Sequence, residues 1–170
     1  RSPQSLFITQ RKPDDMPVGP HTWGGLNPGA LFRLVRWLYE LLERPLYITE
    51  CGVPDADDSI RPAYLAETVR AAWQSINYNY PVRGLFYWSL LDNFEWAEGY
   101  DPRYRFGLFG VDFATQQRTA RRSAHLYRAI CTANGLSSQA VADHAPGALA
   151  RLFPGNPGQQ KVTLKARSSA

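Results

Sequence analysis

Apolar residues recur at helical spacing from Leu31 through Leu34, Val35, Leu38 and Leu41 to Leu42, and that rhythm predicts a helix over residues 28–44. Asn27 and Pro28 supply a cap and a first-turn proline, and Pro45 stops the helix. The run Leu46–Glu50, "LYITE", then reads as a strand. A second apolar stripe, Leu65, Val69, Ala72, Trp73 and Ile76, predicts a helix beginning near Pro62. Residues 82–92, "VRGLFYWSLLD", are apolar nearly throughout, as a strand covered on both faces should be. An aromatic loop is expected over 93–113. A last helix is expected over 120–134, with Ala124, Tyr127, Ile130 and Cys131 inward and Gly135 as its cap.

The ends carry less periodicity. Residues 1–26 hold Pro13, Pro17, Pro20 and Gly24-Gly25 and read as loop, with a short strand at 5–9. Residues 137–170 read as an irregular tail that wraps a surface or is disordered. Strands alternating with helices of this length imply an α/β fold with a parallel sheet. A closed (β/α)8 TIM barrel takes about 250 residues. The 170 residues therefore read as its C-terminal part, the last two or three βα units over 1–136, incomplete as given.

Composition narrows the class. Hydrophobic residues make up 44% and charged residues 20%, as in a water-soluble globular protein. No apolar run nears the roughly 18 residues that span a bilayer, so no membrane partner is expected. Arg1 opens the chain without a signal-like apolar stretch, and Met16 is its sole methionine, so the sequence reads as a piece of something longer. The net charge of +4 is spread thinly, which describes a solvated surface and not a nucleic-acid patch. Cys51 and Cys131 lack the spacing of a zinc site and read as reduced thiols, consistent with the cytoplasm. His21, His125 and His144 are scattered and no glycine-rich phosphate loop occurs, so neither a metal nor another cofactor is expected.

The chemistry gathers at two strand ends. In parallel α/β architectures functional groups collect at the C-terminal ends of strands. Glu50 sits at one such end. Asp92, Asn93, Glu95 and Trp96 follow the other, with Trp88 inside it. Neighbouring strands lie about 4.8 Å apart, so the two ends can share a pocket. Carboxylates beside indole rings suit a sugar: the ring stacks on its C–H face and the acid accepts its hydroxyls. The competing reading is a Trp-rich core with Glu50 and Glu95 as solvated loop charges.

"YITECG" (47–52) and "FYWSLLDNFEWAEGYDPRYRFGLFGVDF" (86–113) resemble glycoside hydrolase family 1, the β-glucosidase and β-galactosidase group. "RRSAHLYRAICTANGL" (121–136) is similar to the family's final helix. The resemblance covers about residues 20–136. It implies a retaining β-glycosidase in which Glu50 is the nucleophile that forms a glycosyl-enzyme ester. It implies Trp88 as the platform under the sugar, Glu95 as the grip on two hydroxyls, Trp96 as its hydrogen-bonding neighbour and Phe106 as an aromatic wall. Glu95-Trp96 stands where a phosphosugar branch would carry Ser and Lys, which implies an unphosphorylated β-glucoside or β-galactoside.

Three features depart from the family pattern. Cys51 replaces an Asn, either as a small substitute or as an oxidisable thiol near the pocket. "RYRFG" carries two extra residues before its Phe-Gly pair. No Asn-Glu-Pro motif for the acid/base occurs. Glu98, Asp101 and Asp55 have no matching context to replace it. The enzyme reading therefore needs the N-terminal part of the barrel as partner. The alternatives are a catalytically inactive carbohydrate-binding remnant and a truncated gene product.

Overall fold

The computed structural model describes residues 16–20, 24–155 and 161–163. The strand expected at 5–9 lies outside them. Helix α1 spans Ala30–Leu42. The Asn27 carbonyl accepts the Ala30 amide at 2.9 Å, so Asn27-Pro28 closes a turn ahead of the helix and Gly29 takes the cap position expected of Asn27. Glu43 ends α1 in the left-handed region, and β1, Leu46–Ile48, follows. Helix α2 spans Arg61–Asn77, and β2 spans Val82–Leu85.

β1 and β2 pair in parallel, Leu46 opposite Val82 and Ile48 opposite Leu85, with a bulge between Leu46 and Tyr47. Both ladders stop short of the expected strands. The backbones nevertheless stay side by side: Phe86 N–H donates to Ile48 O and Trp88 N–H to Cys51 O, each at 2.9 Å. The pleat alternates as a half-covered sheet requires. Ile48 and Val82 pack with Val35 and Ala72, while Tyr47 points out and is 63% exposed. Phe86, Leu90 and the α1 stripe Leu34, Trp37 and Leu41 are exposed as well. Two parallel strands with helices on one side form a partial α/β sheet, not a closed barrel.

Three expectations need correction. The loop 93–113 contains short 3-10 turns at Trp96–Glu98 and Pro102–Tyr104. It ends in β3, Phe109–Val111, which pairs antiparallel with β4, Arg118–Ala120. Arms of three residues are too short to reveal a period. Helix α3 spans Arg122–Ala133 and ends on Asn134, not Gly135, with Asn134 in the left-handed conformation at φ 44°. On α3, Ala124 and Ile130 face inward with Leu126, whereas Cys131 is exposed.

The tail is the third correction. Gly135–Ser137 forms β5, whose backbone pairs antiparallel with β6, Lys161–Thr163. Ser137 caps α4, Ser138–His144, and α5 spans Leu149–Leu152. Val141, Ala145, Ala148, Leu152 and Phe153 bury into one cluster with Leu65, Val69, Leu126 and Ile130 of α2 and α3. That spacing is helical, but Pro146 breaks it into pieces of less than two turns, which hid it.

Candidate functional site

The two strand ends do meet. Glu50 lies two residues beyond β1, exposed, at the edge of a cleft of about 440 Å³. Trp88, Glu95, Trp96 and Phe106 line the same cleft, so all five anticipated residues converge. Cys51, Gly52 and Tyr64 complete its lining. Tyr64 escaped the sequence reading. The signal available was its place in the first turn of α2, which starts on the side where β1 ends.

Close packing sets the cleft's shape. A Cβ on Gly52 would stand 1.9 Å from the Trp88 carbonyl oxygen, so only glycine lets the Glu50 segment pass Trp88. A Cβ on Gly107 would fall 2.3 Å from the Asp92 amide nitrogen, which packs the Phe106 segment against the stretch that follows β2. Phe106 is 4% exposed and presents an edge to the cleft. Trp96, at φ 41°, is 81% exposed and stands at the mouth.

Asp92 anchors the long loop. Its carboxylate accepts from Arg121 Nη1 and Nη2, each at 2.9 Å, and from Arg105 Nη1 at 3.2 Å. It also accepts the backbone N–H groups of Gly107 and Val111. Burial disfavours its charge, but the Arg121 hydrogen bonds and positive charge, with those backbone donors, outweigh burial and hold the carboxyl below its ordinary value.

Glu95 has the opposite electrostatics. It is 6% exposed, and its Oε2 finds no hydrogen-bond partner among the described residues. Burial raises its pKa above the ordinary value. A hydrogen bond from the Trp88 side chain works against that shift, and the negative charge of Glu50 adds to it. A buried acceptor oxygen without a donor, on a residue that lines a cleft, is suited to accept from something that enters.

Two of the other acids, Asp55 and Asp101, are engaged elsewhere. Asp55 caps α2 by accepting the Ile60 and Arg61 amides at 2.8 Å, and Asp101 pairs with Arg103. The Cys51 thiol donates to the Phe86 carbonyl at 3.5 Å, and burial pushes it up to about 12, so it stays a neutral thiol at physiological pH. Among the described residues no cluster of three or more His, Cys, Asp or Glu could hold a metal ion.

Known proteins resemble this chain over most of its length. The glycosyl hydrolase family 1 profile matches residues 5–136. A β-glucosidase from Agrobacterium sp. is 45% identical over 112 residues, 61% of this chain and 24% of that protein. A β-galactosidase from Pyrococcus woesei is 35% identical over 127 residues, 74% of this chain and 24% of that protein. The crystal structure of the β-glycosidase from Thermosphaera aggregans superposes with a TM-score of 0.71 and 40% identity, over 76% of this chain and 26% of that one. The chain thus spans about a quarter of the length of these relatives.

Proposed function

The chain belongs to glycosyl hydrolase family 1, and from that premise we propose that it supplies the nucleophile side of a retaining β-glycosidase acting on terminal β-glucosides or β-galactosides. The observation that carries the reading is the cleft in which Glu50 faces Trp88 and Glu95, with one Glu95 oxygen buried and unpartnered.

The mechanism follows from those positions. Trp88 offers an aromatic face to the C–H side of the pyranose, and Glu95 accepts its hydroxyl protons. A Glu50 oxygen attacks the anomeric carbon as the bond to the leaving oxygen breaks, giving a glycosyl ester. Water then attacks the same carbon and releases Glu50. A retaining mechanism uses a second carboxyl group about 5–5.5 Å from the nucleophile as acid and base. We assign that group to barrel strands outside this chain, because Glu95 is committed to the sugar and Asp55 to α2. Trp96 borders the sugar from the mouth and Phe106 from the side. A cytoplasmic setting fits the free thiols Cys51 and Cys131. No helix among the described residues is long and apolar enough to cross a membrane.

The test bypasses the acid. Incubation with 2,4-dinitrophenyl 2-deoxy-2-fluoro-β-glucoside, whose leaving group departs unprotonated, should add one fluoroglycosyl group to the chain. Peptide mapping should place it on Glu50, and Glu50→Gln should take up none. An adduct on any other residue, or none while a full-length relative is labelled in parallel, would refute Glu50 as nucleophile in this chain. In the second case the carbohydrate-binding remnant becomes the better description.

A further inference from the structure

Arg61 opens α2, is completely buried and does not line the cleft. Its guanidinium reaches two separate segments. Nη1 donates to the Asp58 carboxylate. Nη2 donates to the Asp55 carbonyl and, at 2.7 Å, to the Arg105 carbonyl. Asp58 passes the connection on by accepting the Ser123 amide at the head of α3, at 2.7 Å. The Asp55 amide donates to the same Arg105 carbonyl at 2.9 Å.

These contacts complete a ring of backbone bonds behind the cleft. Trp88 N–H meets Cys51 O at 2.9 Å, and Ser89 N–H meets Phe106 O at 3.3 Å. Those two sides come from segments running alongside one another. The third side joins the loop after Glu50 to Arg105, next to Phe106, through the Asp55 amide and the Arg61 fork together. A need for stability alone does not explain a buried guanidinium there, since apolar replacement of a buried ion pair is often neutral or favourable. Nor is the group fully satisfied: its Nε is buried without a partner among the described residues. What a planar fork offers is fixed geometry towards several acceptors at once.

We infer that Arg61 is a positioning residue for the nucleophile cleft, setting the separation between the Glu50 segment and the Phe106 wall. One of the two readouts below rests on the proposed role of Glu50; the other does not.

The discriminating variant is Arg61→Lys. A lysine keeps a positive charge for Asp58, but a single ammonium cannot also span to the Arg105 carbonyl as the fork does. Residue-resolved amide hydrogen exchange should show Asp55 and Ser89 opening about tenfold faster or more, the scale of one charged hydrogen bond, while α2 and α3 keep their protection. Glu50 labelling by the fluoroglucoside should slow by about tenfold. Unchanged exchange at Asp55 and Ser89 would overturn the inference. So would a loss of protection spread evenly over α2 and α3, which marks a general structural role. Selective loosening with an unaltered labelling rate would overturn it too. If the unmodified chain takes no label but loosening is selective, the nucleophile reading fails while the positioning role of Arg61 stands.

Discussion

Replacing Glu95 with glutamine should strengthen the fold and weaken the site, and both effects arise from one buried oxygen. Glu95 is 6% exposed, and its Oε2 has no partner among the described residues. Burial, with Glu50 nearby, raises its carboxyl above the ordinary value. A raised carboxyl binds its proton more tightly in the folded chain than in the unfolded one. Its contribution therefore favours folding below the ordinary carboxylate range and is lost as pH rises through the folded value. At neutral pH the ionised group is a net cost. Glutamine keeps the shape and removes the charge, which relieves the cost of burying an ionised group, on the order of 1 kcal/mol. For a chain of this size that is a rise of roughly 2–4 °C in Tm. The same change removes charge-assisted hydrogen bonds to a sugar, worth about 1.5–3 kcal/mol each. Glu50 labelling should therefore slow by about 10- to 100-fold. The assays are thermal melting at pH 7 and near pH 4, and the labelling rate. The Tm gain should shrink at the lower pH, where the wild-type carboxyl takes up its proton. A glutamine variant that melts lower than wild type at pH 7, or labels at the wild-type rate, would refute this account of Glu95.

Other expectations follow from the same contacts. Iodoacetamide at pH 8 should alkylate exposed Cys131 and leave Cys51, with its thiol pushed up to about 12, until the chain is unfolded; rapid modification of both in the native state would contradict the cleft packing. Asp92→Asn should cost about 3–5 kcal/mol by leaving Arg121 and Arg105 without their counter-charge. Asp92 is held below its ordinary value, so its contribution is present above the unfolded pKa and is lost as pH falls through the folded one. The gap between wild type and variant, followed by urea unfolding, should therefore close in strong acid, and a gap independent of pH would refute the assignment.

The legible parts of the chain were those with many repeats of one signal. Helices α1, α2 and α3 announced themselves through apolar stripes several turns long. The meeting of Glu50 and Glu95 in one cleft was legible because such folds gather side chains at strand ends, and because the residues around them match a known family closely. The hairpin of β3 and β4 was illegible because three-residue arms contain no period. The tail misled because Pro146 cuts its apolar spacing, so that burial of Val141 and Phe153 is a tertiary fact with no local signal. Cys131 misled for a different reason. It fits the stripe with Tyr127 in spacing, yet its thiol stays exposed in the fold, which spacing alone does not reveal.

Arg61 is the case where periodicity argues against the outcome. An arginine at the head of a helix, beside a loop with three aspartates, reads as a solvated surface pair. It is instead the largest fully buried side chain among the described residues. The reason lies in loop polarity. A loop that must leave β1, pass Trp88 through the gap opened by Gly52 and return to α2 carries peptide groups that no sheet or helix satisfies. Asp55 and Asp58 meet the amides at the heads of α2 and α3, and Arg61 meets the carbonyls of Asp55 and Arg105. The acidic loop is thus the counterpart of one buried base and the internal wiring of the wall behind Glu50. That is why a functional strand end here needs so many residues with no place in the cleft. A carboxylate on an exposed turn acquires fixed aim only when the turn's own polar groups are satisfied from behind.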